Sequence, residues 1–182
     1  MKIVAFDPRR HDRGGFDSGH DGLDEYLRRY ASQSLRHHLA RVYVAEDEPG
    51  QVLGYYTLSA ASLGHDELPD DLARRLPKYP VPAVLIGRLA SDRRARAAGL
   101  RIGTRLLVHA LQQALRAADT IGVQCVIVDS KPDSVGFYRR FGFLPLRGEG
   151  LKLYLPINTI RLLEAEPSAS GSSRATRGAQ GE

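Results

Sequence analysis

The chain has 182 residues, 42% of them hydrophobic, and its 26 basic and 21 acidic side chains leave a formal charge of 26 − 21 = +5. This length and composition fit one globular domain with its own core and make a second independent domain unexpected. A single cysteine, Cys125, excludes an internal disulfide and fits a reducing cytosol.

Cys125 sits in an apolar run, which favours a small buried hydrophobe over a nucleophile. The basic balance, with a sequence pI near 9.6, agrees with an anionic partner and equally with a solvated basic face. Lys2 is followed by only four apolar residues before Asp7, too few for a signal-peptide core, and no run reaches membrane-spanning length. A cytoplasmic protein without a membrane association is the expectation. The six histidines lack metal-ligand spacing, so no metal is assigned.

In chain order, residues 1–6 read as a short edge strand ending at Asp7-Pro8. From Gly22, Leu23, Tyr26, Leu27, Tyr30, Ala31 and Leu35 recur at helical spacing, with Asp21 or Asp24 as available caps. Residues 40–47 and 52–63 are β-branched and aromatic runs around Glu48-Pro49-Gly50, which predicts an antiparallel hairpin. A short helix is expected at 70–76, after which Pro77, Pro80 and Pro82 enforce an extended entry into the next strand. Leu106, Leu107, Ala110, Leu111, Ala114, Leu115 and Ala118 mark one face of a long helix. The apolar run 121–128 predicts a strand buried on both sides and parallel to the strand before that helix. A helix is expected at 135–141, stopped by Gly142, then strands at 143–146 and 152–155 and a short helix at 156–164. Residues 165–182 are Pro, Ser, Gly, Ala and Arg with hardly any apolar side chain, a composition expected to be disordered. No internal repeat is present.

Residues 83–116 organise the chain. A short apolar run, a turn of Arg, Ala and Gly, and an amphipathic helix place backbone N–H groups and a positive helix terminus where a phosphate could sit. A P-loop is excluded, because Gly103 is followed by Thr104 and Arg105 without the required Lys. The dinucleotide fingerprint GxGxxG is also absent, since three residues separate Gly99 from Gly103.

The segment Arg96-Ala97-Ala98-Gly99-Leu100-Arg101-Ile102-Gly103-Thr104 resembles the pyrophosphate loop of the GNAT superfamily of N-acetyltransferases, with about two residues added. The run Phe137-Tyr138-Arg139-Arg140-Phe141-Gly142-Phe143 resembles the FYxxxGF helix of the same superfamily, in the correct order and spacing. The resemblance implies an α/β (α+β) GNAT fold over residues 1–164: a mixed, mostly antiparallel sheet with one central parallel splay, flanked by helices. It also implies acetyl-CoA as cosubstrate and Tyr138 as the general acid. Acetyl-CoA would then be held by Leu89, Ala90 and Ser91 on the splayed strand and by Arg96, Gly99, Leu100, Arg101, Ile102, Gly103 and Thr104 in the loop. Arg88 on that strand is either a substrate or phosphate contact or a strand-end charge in solvent.

The blocks FDSGHDGLDEYLRRYA, GYYTLSAAS, YPVPAVLIGRLASD and VDSKPDSVGFYRRFGF further resemble the GNAT toxins of bacterial toxin-antitoxin pairs. That likeness implies an aminoacyl-tRNA substrate, a ribbon-helix-helix antitoxin and a homodimer. An α-amino group, with a pKa of about 7.7 to 8.0, holds much more of its neutral, nucleophilic form in the cytosol than a lysine side chain near 10.4. It can therefore serve an enzyme without a strong base, and here Glu46 and Glu67 are only scattered candidates. Arg28, Arg29, Arg36, Arg75, Arg93 and Arg94 are candidate tRNA contacts, each of which a solvated role would also explain. The rival expectations are acetylation of a small amine or a protein amino group, and a CoA-binding module without turnover.

Overall fold

The protein is described here from a computed structural model covering residues 1–47, 50–148 and 150–165. Its strands are β1 (Lys2–Ala5), β2 (Arg41–Glu46), β3 (Val52–Leu63), β4 (Val81–Ser91), β5 (Cys125–Asp129), β6 (Leu144–Pro145) and β7 (Lys152–Pro156). Its helices are α1 (Asp21–Glu25), α2 (Ala31–Arg36), α3 (Asp70–Ala73), α4 (Arg93–Ala97), α5 (Ile102–Ala118), α6 (Val135–Arg139) and α7 (Ile157–Ala165). The strands form one sheet in the order β1-β2-β3-β4-β5-β7-β6. Among the named strands of the described residues only the β4–β5 pair is parallel, and α5 makes the crossover between those two strands, as expected of the mixed sheet. Two residues of the expected hairpin turn, Glu48 and Pro49, and the polar tail beyond residue 165 lie outside the described residues.

The long helix buries the face that its spacing predicts. Ile102, Leu106, Leu107, Ala110, Leu111, Ala114 and Leu115 are all buried and join Tyr56, Ile86, Val126, Val128 and Leu153 in the largest core cluster. Each buried Leu or Ile contributes up to about 2 kcal/mol. That packing, more than helix propensity, holds α5 against the sheet. Cys125 is fully buried and surrounded by apolar groups, and burial pushes its thiol up to about 12, the inert state expected of it.

Several boundaries depart from the sequence reading. The strand expected at 121–128 starts only at Cys125, because Ile121 still donates its N–H to Ala117 O at 2.9 Å as the chain leaves α5, and its side chain is 61% exposed. The helix expected at 70–76 is a single turn followed by turns closing on Leu72 O, with Pro77 next in the chain. The helix expected at 135–141 ends at Arg139. The helix from Gly22 onward is divided by a π-helical turn at Tyr26–Tyr30, which inserts an extra residue between α1 and α2. Neither Asp21 nor Asp24 caps α1: His20 occupies the cap position without a side-chain bond, and the buried Asp24 carboxylate accepts from Ser18 N at 2.9 Å and Ser18 Oγ at 2.6 Å.

Gly54 on β3 lets α5 approach the sheet. A Cβ there would lie 2.7 Å from Ile102 Cγ2, 2.8 Å from the Ala90 carbonyl oxygen and 2.9 Å from Leu106 Cδ1. The reduced chain entropy of an alanine returns only about 0.4–1 kcal/mol, against about 1–3 kcal/mol for overpacking a core against backbone that cannot move aside. Gly54→Ala is therefore expected to lower the thermal midpoint by several degrees, measured by calorimetry; an unchanged midpoint would show that α5 can shift away at no cost.

Candidate active site

The site is built where β4 outlasts its parallel partner. Pairing of β4 with β5 ends at Ile86–Val128, while β4 continues along β3 to the Gly54–Ser91 pair. Beyond β5, Ser130 donates both its N–H and its Oγ–H to Leu151 O, each at 2.9 Å, which draws the chain toward β7 and away from β4. On the other side a bulge between Thr57 and Leu58 leaves Gly87 unmatched, and a Cβ at Gly87 would come within 3.3 Å of Thr57 Oγ1. The β4 edge from Gly87 to Ser91 is consequently left open to an extended ligand.

Two depressions meet on that edge. A cleft of about 220 Å³ is walled by residues 86–91 of β4, by Ser18, His20 and Leu23 of the N-terminal segment, and by Asp129, Ser130, Lys131, Ser134 and Tyr138. A more open groove runs from Leu89 and Ser91 past Gly99 and residues 101–104 to Phe137, Arg140 and Phe141. Leu89, Ser91, Arg96 and Ser134 line both.

The loop after β4 is shorter than the sequence reading has it. Asp92 caps α4 by accepting from Arg94 N at 2.8 Å, so Arg93–Ala97 is helical and only residues 98–101 are irregular. Gly99 (φ 72°) and Arg101 (φ 49°) turn left-handed there, a conformation glycine adopts freely and arginine at some cost. Gly103 and Thr104 belong to the first turn of α5, whose leading N–H groups have no partner within the helix. A Cβ on Gly103 would meet nothing closer than Phe137 at 3.8 Å, so the groove passes that backbone unobstructed. These features fit a diphosphate at a helix N-terminus, with Arg101 and Arg140 as flanking cations.

Of the residues expected to hold the cosubstrate, Leu89, Ser91, Arg96, Gly99, Arg101, Ile102, Gly103 and Thr104 line the groove. Ala90 lines the cleft instead. Leu100 lines neither depression and is 44% exposed. Arg96 is held by the protein itself: its Nη1 donates to Ser91 O at 2.6 Å and its Nη2 to Ser18 O at 2.8 Å. It ties the loop to the N-terminal wall.

Tyr138 comes to the cleft from α6. It is 8% exposed, packed edge-on against Phe137 and Phe143 with ring centroids 5.2 and 5.5 Å away, and burial pushes its phenol up to about 12. It is thus a proton-bearing group at any physiological pH. Glu46 and Glu67, the scattered base candidates, are not in the cleft. Glu46 is buried against Arg10 and His11 and accepts from Gly50 N. Although burial itself raises the Glu46 pKa, these donors and cations hold it below the usual carboxylate range. Glu67 pairs with Lys152 and accepts from Gly64 N, which lowers its pKa as well.

The candidate tRNA arginines divide. Arg93 pairs with Asp17, and Arg94 donates to Gly15 O at 2.6 Å and pairs with Asp92; Arg29 pairs with Glu25, and Arg28 reaches Phe16 O at 3.4 Å. Arg36 and Arg75 are exposed and have no ion-pair partner among the described residues. The structure also brings in Ser18, His20, Lys131, Ser134 and Arg140, to which sequence reading gave no role. Their signal was membership in the quoted blocks around Ser18, Lys131 and Tyr138.

The acetyltransferase (GNAT) family model matches residues 10–143. A tRNA-acetylating toxin of Mycobacterium tuberculosis is 35% identical over 161 residues, covering 86% of this chain and 95% of that relative. The structure of AtaT complexed with acetyl-methionyl-tRNAfMet is similar with a TM-score of 0.80 at 30% identity, covering 90% of this chain and 98% of that one. A mutant AtaT toxin bound to the C-terminus of the antitoxin AtaR and acetyl-CoA gives a TM-score of 0.76 at 28% identity, covering 91% and 98%. With the parallel splay, the helix-terminus groove and the buried tyrosine at their junction, these matches show that the chain belongs to the acetyltransferase (GNAT) family.

Proposed function

We propose that this acetyltransferase is the toxin of a toxin-antitoxin pair, moving the acetyl group of acetyl-CoA to the α-amino group of an aminoacyl-tRNA and so blocking translation. One observation carries the chemistry: the phosphate-suited groove opens into the Tyr138 cleft along the unpaired edge of β4. The tRNA acceptor is supported by the tRNA-acetylating relative and by the tRNA-bound solved neighbour. A ribbon-helix-helix antitoxin, a homodimer and a cytoplasmic location belong to the same reading. AtaR-bound AtaT supports the antitoxin, and among the described residues no helix is long and apolar enough to cross a membrane.

Acetyl-CoA supplies the activated thioester. The α5 N-terminus, Arg101 and Arg140 hold its phosphates, and the open β4 edge from Gly87 to Ser91 pairs with its amides and donates to the thioester oxygen as negative charge develops there. The acceptor nitrogen attacks the carbonyl carbon from the cleft side, a C–N bond forms and the C–S bond breaks. Tyr138 gives its proton to the departing sulfur and recovers one from the acceptor nitrogen, so the net proton passes from nitrogen to sulfur. Because its pKa is raised, the tyrosinate does not accumulate, and no separate strong base is needed for an amine that titrates close to neutral pH.

Tyr138→Phe keeps the packing and is expected to slow acetyl transfer by roughly 10²-fold or more with acetyl-CoA affinity unchanged. Wild-type turnover in that variant, measured in a single-turnover assay, would make Tyr138 a packing residue. The wild-type rate is expected to rise with pH to about 8, as the acceptor amine deprotonates, and then to stay level. A fall at mildly alkaline pH would contradict a phenol that keeps its proton up to about 12.

Gly103→Asp leaves the fold room for the side chain but sets a carboxylate on the phosphate path, so calorimetric titration is expected to show loss of CoA binding at a nearly unchanged thermal midpoint. Unchanged CoA affinity would remove the phosphates from the α5 terminus. For the acceptor, labelled acetyl-CoA incubated with charged and uncharged bulk tRNA should give N-acetylaminoacyl-adenosine after digestion, only from charged tRNA and less of it at higher salt. Label found in free amines or proteins instead would reject the tRNA reading; no thiol release with any amine would favour a module without turnover.

A further inference from the structure

The arginines that brace the N-terminal wall of the cleft already serve the protein. Arg93 and Arg94 hold the N-terminal loop through Asp17, Asp92 and Gly15 O, and Arg96 spends its guanidinium on Ser91 and Ser18 carbonyls. Arg88 differs: it lines the cleft, is exposed, and has no hydrogen-bond or ion-pair partner among the described residues.

Arg88 is nonetheless placed. Its guanidinium carbon lies 3.8 Å from the centroid of the Tyr26 ring. Tyr26 is buried and nearly parallel to Tyr55, with centroids 6.0 Å apart and 16° between the planes. Tyr55 in turn is fully buried and donates its hydroxyl hydrogen to Leu23 O at 2.7 Å. Tyr26 begins the π-helical turn at Tyr26–Tyr30, an irregularity of the kind frequent at functional sites. A guanidinium stacked through its face keeps its in-plane N–H donors for a ligand, in a fork that fits two oxygens of a phosphate. The Tyr26 hydroxyl, buried without a partner, contributes nothing to this arrangement; the ring does.

We propose that Arg88, oriented by the Tyr26–Tyr55 stack, is the anion-binding group of the acceptor side of the cleft and grips the phosphodiester next to the 3′-terminal aminoacyl nucleotide. This rests on the aminoacyl-tRNA reading and adds to it the residue that makes a nucleic-acid end, rather than a free amine, the preferred acceptor. Arg88 binds substrate and takes no part in proton transfer.

The test compares two acceptors, aminoacyl-tRNA and 3′-O-aminoacyl-adenosine, which carries the same amine and nucleoside but no phosphodiester. Arg88→Gln is expected to raise KM for aminoacyl-tRNA about tenfold or more. It should also flatten the dependence of log(kcat/KM) on log salt by about 0.7, the loss of one single-strand phosphate contact. Its acetyl-CoA affinity and its rate with aminoacyl-adenosine should stay within about twofold of wild type. Arg88→Lys should restore the salt slope but not the full affinity, because an ammonium lacks the planar fork. Tyr26→Phe, which keeps the ring, should match wild type in KM and slope. Unchanged KM and salt slope for Arg88→Gln on aminoacyl-tRNA would overturn the assignment, as would an equal loss on both acceptors. Wild-type protein that acetylates neither acceptor would overturn the aminoacyl-tRNA reading itself, and this assignment with it.

Discussion

The separation of β4 from β5 beyond the Ile86–Val128 pair is the constraint on which the site depends. A parallel pair that continued to Ser91 would satisfy the backbone of both strands and leave no place for an extended ligand. Ser130 prevents this by committing its N–H and hydroxyl to Leu151 O, and the bulge at Gly87 changes the course of β4 at the same level. Backbone groups that would be costly to bury without partners become instead the groups a ligand can use.

The second requirement is rigidity in the walls, and it is met largely with arginine. The loop from Gly15 to Ser18 is short of apolar side chains except Phe16, so its carbonyls and the Asp17 carboxylate are gripped from outside by Arg28, Arg93, Arg94 and Arg96. Asp92 lies beneath them, 2% exposed. Burial works against its charge, but donors from Arg94 and from the Asp17 amide keep its pKa below the ordinary value. Its ionised form therefore favours the folded state above the unfolded pKa, and that contribution is lost as pH falls through the lower folded value. A formal charge of +5 thus overstates the cation available to a nucleic acid, because several arginines are already used to hold one wall of the cleft.

Tyr138 and Arg88 face the cleft in contrasting environments, which suits the separate roles proposed for them. The phenol lies among Phe137 and Phe143 and keeps its proton; the guanidinium lies on an aromatic face at the solvent side and keeps its donors. One group suits proton delivery to a leaving thiol, the other suits a fixed anion.

Much of this was legible in the chain itself. Apolar spacing along α5, the β-branched hairpin runs and the apolar stretch before Asp129 determined the elements, since periodicity reports which face must be buried whatever it packs against. The order of the Arg96–Thr104 loop and the Phe137–Phe143 run determined the family, because two independent motifs at a set separation demand one topology. Tertiary structure alone decided the rest. That α4 replaces part of the loop depends on Asp92 being held at the cap position by a segment some 75 residues away in sequence. That Arg93 and Arg94 clasp a loop while Arg88 lies on the Tyr26 ring depends on which groups fold next to them. An arginine reads the same in sequence whether its partner is a backbone oxygen, a carboxylate, an aromatic face or water, and only long-range packing assigns that partner.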